Sequence, residues 1–179
     1  DVPHATVLPI IVDLERWAGT TPLLHRARPK LVHAPTNAIV KGTHLVAPVL
    51  ERLHDEGVIE YVPLQGVPNV EMPDRIRDAD IVLDQLRIGD YGVAATEALA
   101  TGRIVLAHLS DQVRSVMSTM AGMPVPIVET TPDTIESVIR AIVADRDAAR
   151  LLASAGPEYV RAVHDGRQSA AVLHEWVAR

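Results

Sequence analysis

Short runs of aliphatic and β-branched residues alternate along the chain with stretches whose apolar positions recur every three or four residues. Ile135, Val138, Ile139 and Ile142 follow the second pattern and predict an amphipathic helix over 133–144. Leu45, Val46, Val49, Leu50 and Leu53 do the same for 43–56, with Thr43 as N-cap and Gly57 just past the end. The short apolar runs at 30–33, 58–64, 80–84, 103–108 and 125–128 predict strands. Further helices are expected over 71–77, 91–100, 112–120, 147–155, 157–163 and 168–178. Residues 5–12 are rich in β-formers and predict an extended segment, confined by Pro9 to an edge or a start. One helical turn is expected at 13–17 and a loop over 19–29. Strands and helices alternate at βαβ spacing, so the fold class is α/β: a doubly wound parallel sheet, Rossmann-like. The helices after Gly156 need not lie on this core.

Composition narrows the partners. The 179 residues suit about one domain, 47% hydrophobic and 22% charged. A net charge of −6 gives no electrostatic footprint for nucleic acid or an anionic membrane. Without cysteine there is no disulfide framework and no thiolate metal site. The longest apolar runs fall far short of the ~20 residues that span a bilayer. A soluble cytoplasmic protein is expected, with peripheral membrane association left open for a full-length enzyme. Asp1 and the character of the first thirty residues suggest the C-terminal part of a longer chain.

Candidate chemistry gathers at two strand-to-helix turns. The strand around Ile81–Leu83 runs into a loop with Arg87, Gly89, Asp90 and Gly92, then a small-residue helix with a single charge, Glu97. A glycine loop feeding a helix N-terminus offers free amides to a phosphate. A carboxylate among alanines is costly to bury unless something hydrogen-bonds to it. The plainer reading is an exposed helical glutamate. Lys41 precedes the helix at 43, where the dipole disfavours a cation and a bound anion would explain it. A solvated surface lysine explains it equally well. If the strands at Lys30 and Ile81 are neighbours across a switch point, both edges form one phosphate-and-ribose site.

Other motifs carry less. Asp78-Ala79-Asp80 precedes a strand, at the edge opposite the ligand side, and reads as a solvated helix end rather than a metal site. The eight histidines show no zinc-ligand spacing. His33 and His108 end strands near the cleft and read as satisfied, half-buried histidines. Dinucleotide, P-loop and nucleophile-elbow motifs are absent. Trp17 and Trp176 read as packing residues.

Four pieces together resemble the C-terminal donor domain of GT-B glycosyltransferases, in the retaining group 1 (family 4-like) branch. Leu8-Pro9 with Val12-Asp13-Leu14-Glu15 is similar to the segment leading into that domain. Lys41-Gly42 matches the family's Lys-Gly after the first strand, and Gly66 its glycine after the second. Tyr91-Gly92-Val93 with Glu97-Ala98-Leu99-Ala100 and Gly102 matches its longest run. The resemblance implies 1–29 as lead-in segment and linker from a missing N-terminal acceptor domain. It implies 30–165 as donor-nucleotide domain, and 166–179 as a helix packing toward the missing half, whose apolar surface would invite a homodimer here.

The resemblance also implies roles. Lys41 would contact the donor diphosphate and Glu97 the ribose, these two counted as catalytic. Thr36, Asn37, Arg87, Gly89, Asp90 and Tyr91 fall in the same donor-binding stretches. Amides of Gly92, Val93 and Ala94 would face the phosphates, and residues near Val67 and Pro68 the base. No cofactor or metal is implied. The family's arginine falls on Thr36, and its first glutamate on Gly89; the missing glutamate motivates an alternative, a non-catalytic binding or interaction module. A sugar-nucleotide epimerase would need a carboxylate and histidine set that the sequence does not offer. The main reading is a glycosyltransferase donor half that binds nucleotide weakly and does not turn over alone.

Overall fold

A computed structural model describes residues 6–19 and 21–178. A single turn, α1 (Leu14–Trp17), precedes β1 (Lys30–His33), α2 (Ala38–Lys41), α3 (Thr43–Asp55), β2 (Glu60–Pro63), α4 (Met72–Arg77) and β3 (Ile81–Leu83). Then come α5 (Val93–Ala100), β4 (Ile104–Ala107), α6 (Asp111–Ala121), β5 (Ile127–Glu129), α7 (Ile135–Ala144), α8 (Arg146–Ser154), α9 (Gly156–Val163) and α10 (Arg167–Val177). The five strands form one parallel sheet in the order β2-β1-β3-β4-β5. This is the doubly wound α/β fold that the alternation predicts.

Side chains alternate across the sheet, so each strand feeds two cores. Val32, Val82 and Val105 face one core with Trp17, the α5 residues Ala95, Ala98 and Leu99, and the α9 residues Tyr159, Val160 and Val163. Leu31, Ile81, Leu83, Ile104 and Leu106 face the other, closed by Val46, Leu50 and Leu53 of α3 and by Ile135, Ile139 and Ile142 of α7. Each large aliphatic side chain fully buried here contributes roughly 1.5–3 kcal/mol. α9 lies so close to α5 that a Cβ on Gly156 would stand 2.6 Å from the Leu99 carbonyl oxygen. Only glycine permits that approach.

Four expectations need correction. Residues 6–12 form no strand. Their backbone groups pair with the C-terminal helices instead: Val12 N–H donates to the His164 carbonyl at 2.9 Å, and Ser169 Oγ donates to the Pro9 carbonyl at 2.7 Å. α9 does belong to this core, as its buried Tyr159, Val160 and Val163 show. Thr43 is not an N-cap. Gly42 holds that place with φ +77, and Asn37 caps the short α2 by accepting from Ile39 N–H and Val40 N–H. Trp17 is buried as a packing residue, but Trp176 is 75% exposed.

Candidate functional site

β1 lies between β2 and β3, so the crossovers leaving β1 and β3 depart on opposite sides and open a crevice beyond the strand ends. Two loops flank it, 34–37 after β1 and 84–92 after β3. They are stapled together. Leu86 N–H donates to the Lys41 carbonyl at 3.3 Å, and Arg87 Nη1 donates to the Ile39 carbonyl at 3.1 Å. Gln85 shapes the second loop: its Oε1 accepts from the Arg87 and Ile88 amides. Gly42 turns the chain from α2 into α3 in the left-handed region, where a side chain would be strained and would also crowd Arg87.

The crevice holds a cavity of about 650 Å³. Leu64, Val67 and Met72 line it from the β2 side, and Glu97 and the start of α5 from the β3 side, with Thr36, Lys41 and Asn69 also in the lining. A smaller cavity of about 220 Å³ adjoins it, walled by Asn37, Asp84, Gln85, Ile88, Asp90 and Tyr91 among others. Thr36, Lys41 and Gly92 line both. Among the described residues no side chain caps α5, so its first-turn amides remain without a side-chain cap. An uncapped helix N-terminus on a cavity wall suits an anion.

Burial raises the Glu97 carboxyl to about 7, against the opposing pull of Arg16 and Lys41. Lys41 Nζ forms an ion pair with Asp84, which has no solvent exposure. The other carboxylate oxygen of Asp84 accepts from Gly92 N–H at 3.0 Å. His33 is fully buried behind this pair, and burial pushes its imidazole below the ordinary range. Because a carbonyl can only accept, Nδ1 donates to the Leu83 carbonyl and Nε2 accepts from the Thr43 hydroxyl, both at 2.8 Å. The same logic orders a second chain. His164 Nδ1 donates to the Ile10 carbonyl, Tyr91 donates to His164 Nε2, and Tyr159 donates to the Tyr91 hydroxyl at 2.6 Å. Burial raises the Tyr91 phenol and takes Tyr159 to about 12.

Of the residues singled out in the sequence, Thr36, Lys41, Val67, Gly92, Val93, Ala94 and Glu97 line the larger cavity. Asn37, Asp90 and Tyr91 line the smaller. Pro68, Arg87 and Gly89 line neither. Arg87 is spent on α2, and Gly89 is buried with φ +75 against Ser110 and His108. His108 points to Glu129, its Nδ1 2.6 Å from Oε1. Asp78 is half exposed, but Asp80 is fully buried, which corrects its reading as a solvated helix end. Among the described residues no group of three or more His, Cys, Asp or Glu is disposed to hold a metal ion.

Asp84 and Asn69 join the site without being singled out by the sequence. Asp84 stands at the carboxyl end of an apolar strand, the same position that singled out the neighbouring loop, and that signal was available. Asn69 lines the cavity because Arg16, from the distant α1, holds it: Arg16 Nη2 donates to Asn69 Oδ1 at 2.5 Å and to its carbonyl at 2.7 Å. Nothing local in the sequence announces that pair.

No family model and no curated protein sequence matches the chain. Solved structures do. HepE from Anabaena, solved with UDP and glucose, is similar with TM-score 0.68 at 13% identity, covering 94% of this chain and 55% of that one. Sucrose-phosphate synthase from Thermosynechococcus elongatus is similar with TM-score 0.65 at 17% identity, covering 96% of this chain and 51% of that one. The C-terminal domain of the glycosyl transferase group 1 family protein LpcC from Francisella tularensis gives TM-score 0.54 at 14% identity, with 84% and 96% covered. The chain therefore spans about half of the first two proteins and nearly the whole of the isolated domain. It has the fold of the C-terminal domain of a GT-B glycosyltransferase.

Proposed function

We propose that the chain is the nucleotide-sugar donor domain of a glycosyltransferase. The observation that carries this is the larger cavity, where a lysine, a half-buried carboxylate and an uncapped helix N-terminus converge beside an apolar slot. The apolar end suits a base, Glu97 the ribose hydroxyls, and the α5 amides with Lys41 the diphosphate. In transfer, the bond from the anomeric carbon to the diphosphate oxygen breaks and the nucleoside diphosphate leaves with the electron pair. Fixed donors aimed at that developing charge are a large catalytic term. Retention at the anomeric carbon, metal independence and a cytoplasmic setting belong to this reading. So does a preceding domain that brings the acceptor; without it the chain binds nucleotide but does not turn over. The exposed Leu173, Trp176 and Val177 of α10 support a contact with that domain, and a second copy is the rival occupant.

Calorimetric titration of UDP, GDP and ADP tests this. One nucleotide is expected to bind, and Glu97→Ala should weaken it roughly 10–100-fold, the loss of hydrogen bonds to a charged acceptor worth about 1.5–3 kcal/mol. Equal binding by the wild type and the variant would contradict the ribose role. Binding by none of the three, to this chain or to a longer chain carrying the preceding domain, would favour the interaction-module reading.

A further inference from the structure

Lys41 is not a free cation awaiting an anion. Its Nζ is paired with Asp84, and its side chain is only 16% exposed. Asp84 is fully buried, and Lys41 is its one cationic partner among the described residues. Its second oxygen holds the Gly92 amide at the head of α5. One carboxylate thus stands directly behind the two groups that a diphosphate would meet. Lys41 and Gly92 line both cavities, and Asp84 lines the smaller.

Two consequences oppose each other. Pairing with Asp84 restricts the lysine, so less rotamer freedom is lost when an anion binds. The carboxylate also repels that anion. Turning Lys41 toward the anion also leaves the buried Asp84 charge without its cationic partner, a cost that exceeds the entropy of one side chain. Asp90, which also lines the smaller cavity, adds negative charge there. The net effect of Asp84 on diphosphate affinity is therefore unfavourable.

We propose that Asp84 is an internal counter-anion of the site: it holds Lys41 when the site is empty and competes with the diphosphate for it. This rests on the donor-nucleotide reading above. Nucleotide then binds by exchange of the lysine's partner, which limits how tightly the diphosphate product is held after transfer. Asp84 is a positioning residue that acts through Lys41, not a group that contacts the sugar.

The test is calorimetric titration of whichever nucleoside diphosphate binds, and of the corresponding nucleoside, into wild type, Asp84→Asn, Asp84→Ser, Lys41→Met and the Asp84→Asn/Lys41→Met double variant. Thermal melts run alongside. Asp84→Asn should bind the diphosphate at least roughly tenfold more tightly (about 1.4 kcal/mol). The nucleoside should be unaffected, and much of the gain should vanish in the Lys41→Met background. Asp84→Ser, which removes the charge with a smaller polar side chain, should move in the same direction. A merely structural pair would lower the melting temperature and would not tighten the diphosphate. Unchanged or weaker diphosphate binding by a folded Asp84 variant, or failure of both variants to fold, would overturn the proposal while the donor reading stands on the wild-type titration. No nucleotide binding by any folded form would remove both.

Discussion

β3 is only three residues long, yet it is bracketed by two aspartates, Asp80 before it and Asp84 after it, and neither has any exposure to solvent. At the amino end, Asp80 accepts from two rigid backbone donors, Leu24 N–H at 2.6 Å and Lys30 N–H at 2.8 Å. Arg26 stands 3.4 Å away, and the buried Arg103 guanidinium beyond it donates to the carbonyls of Arg77, Ala79, Thr101 and Thr21. At the carboxyl end, Asp84 meets one backbone amide and a flexible lysine, with a cavity alongside. The same residue type on the same strand closes the structure at one end and leaves it open at the other. What differs is the partners: two backbone amides fix Asp80, whereas Asp84 is held by one amide and a lysine side chain beside a cavity.

The largest expected effect lies at the closed end. Asp80→Asn leaves a buried backbone N–H facing an amide donor and removes the counter-charge of Arg26 and Arg103, a loss of about 3–5 kcal/mol. For a chain of this size that lowers the melting temperature by roughly 10 °C. Nucleotide affinity of the fraction that stays folded should not change. A mild stability loss with impaired binding would erase the contrast between the two ends.

Gly156→Ala is expected to cost less. The new Cβ meets the Leu99 carbonyl, so α9 must back away from α5, for about 1–3 kcal/mol of overpacking. The clamp acts on the end of α5 remote from the cavity, so thermal melts should register the change more clearly than titration does.

The smallest and most informative effect is the pH dependence at Glu97. Its folded value of about 7 lies above the ordinary 4.5, so protonation is favoured in the folded state. Stability from this group is fully present below about pH 4.5 and is lost as pH rises through about 7. Glu97→Gln should therefore gain stability over wild type as pH rises from 5 to 8, with the gain reduced by solvent screening at this half-buried position. Nucleotide binding should run the opposite way. Ionised Glu97 is the better acceptor for ribose hydroxyls, so affinity of the wild type for a nucleotide-sugar should rise through about pH 7, and that of Glu97→Gln should stay flat. A nucleotide-sugar is the right probe because its diester diphosphate does not titrate in that window. Parallel trends in stability and affinity would argue against a ribose-binding carboxylate.

Much of the carboxyl edge is legible in the sequence because it is built locally. Lys41 and Glu97 each lie on the first helix after a strand, and βαβ winding makes the starts of those helices neighbours. The period of Ile135, Ile139 and Ile142 likewise needs nothing beyond the helix itself. What escapes is settled by distant partners. Asp84 finds its lysine 43 positions earlier in the chain. Asn69 is held by Arg16, and Arg87 is drawn away from the cleft by the carbonyl of Ile39. The β-rich segment at 6–12 stays out of the sheet because its carbonyls find His164 and Ser169. Trp176 shows the converse: a large apolar residue invites a packing role, but among the described residues it stays 75% exposed.

The most direct measurement is a crystal structure of the chain soaked with the nucleotide that binds in solution. The account predicts the ribose hydroxyls within hydrogen-bond distance of Glu97, the diphosphate over the amides of Val93 and Ala94 with Lys41 turned toward it, and the base against Leu64 and Val67. A nucleotide seated elsewhere, such as in the cavity formed by Glu51, His54 and Tyr61 beside the edge strand β2, would contradict it.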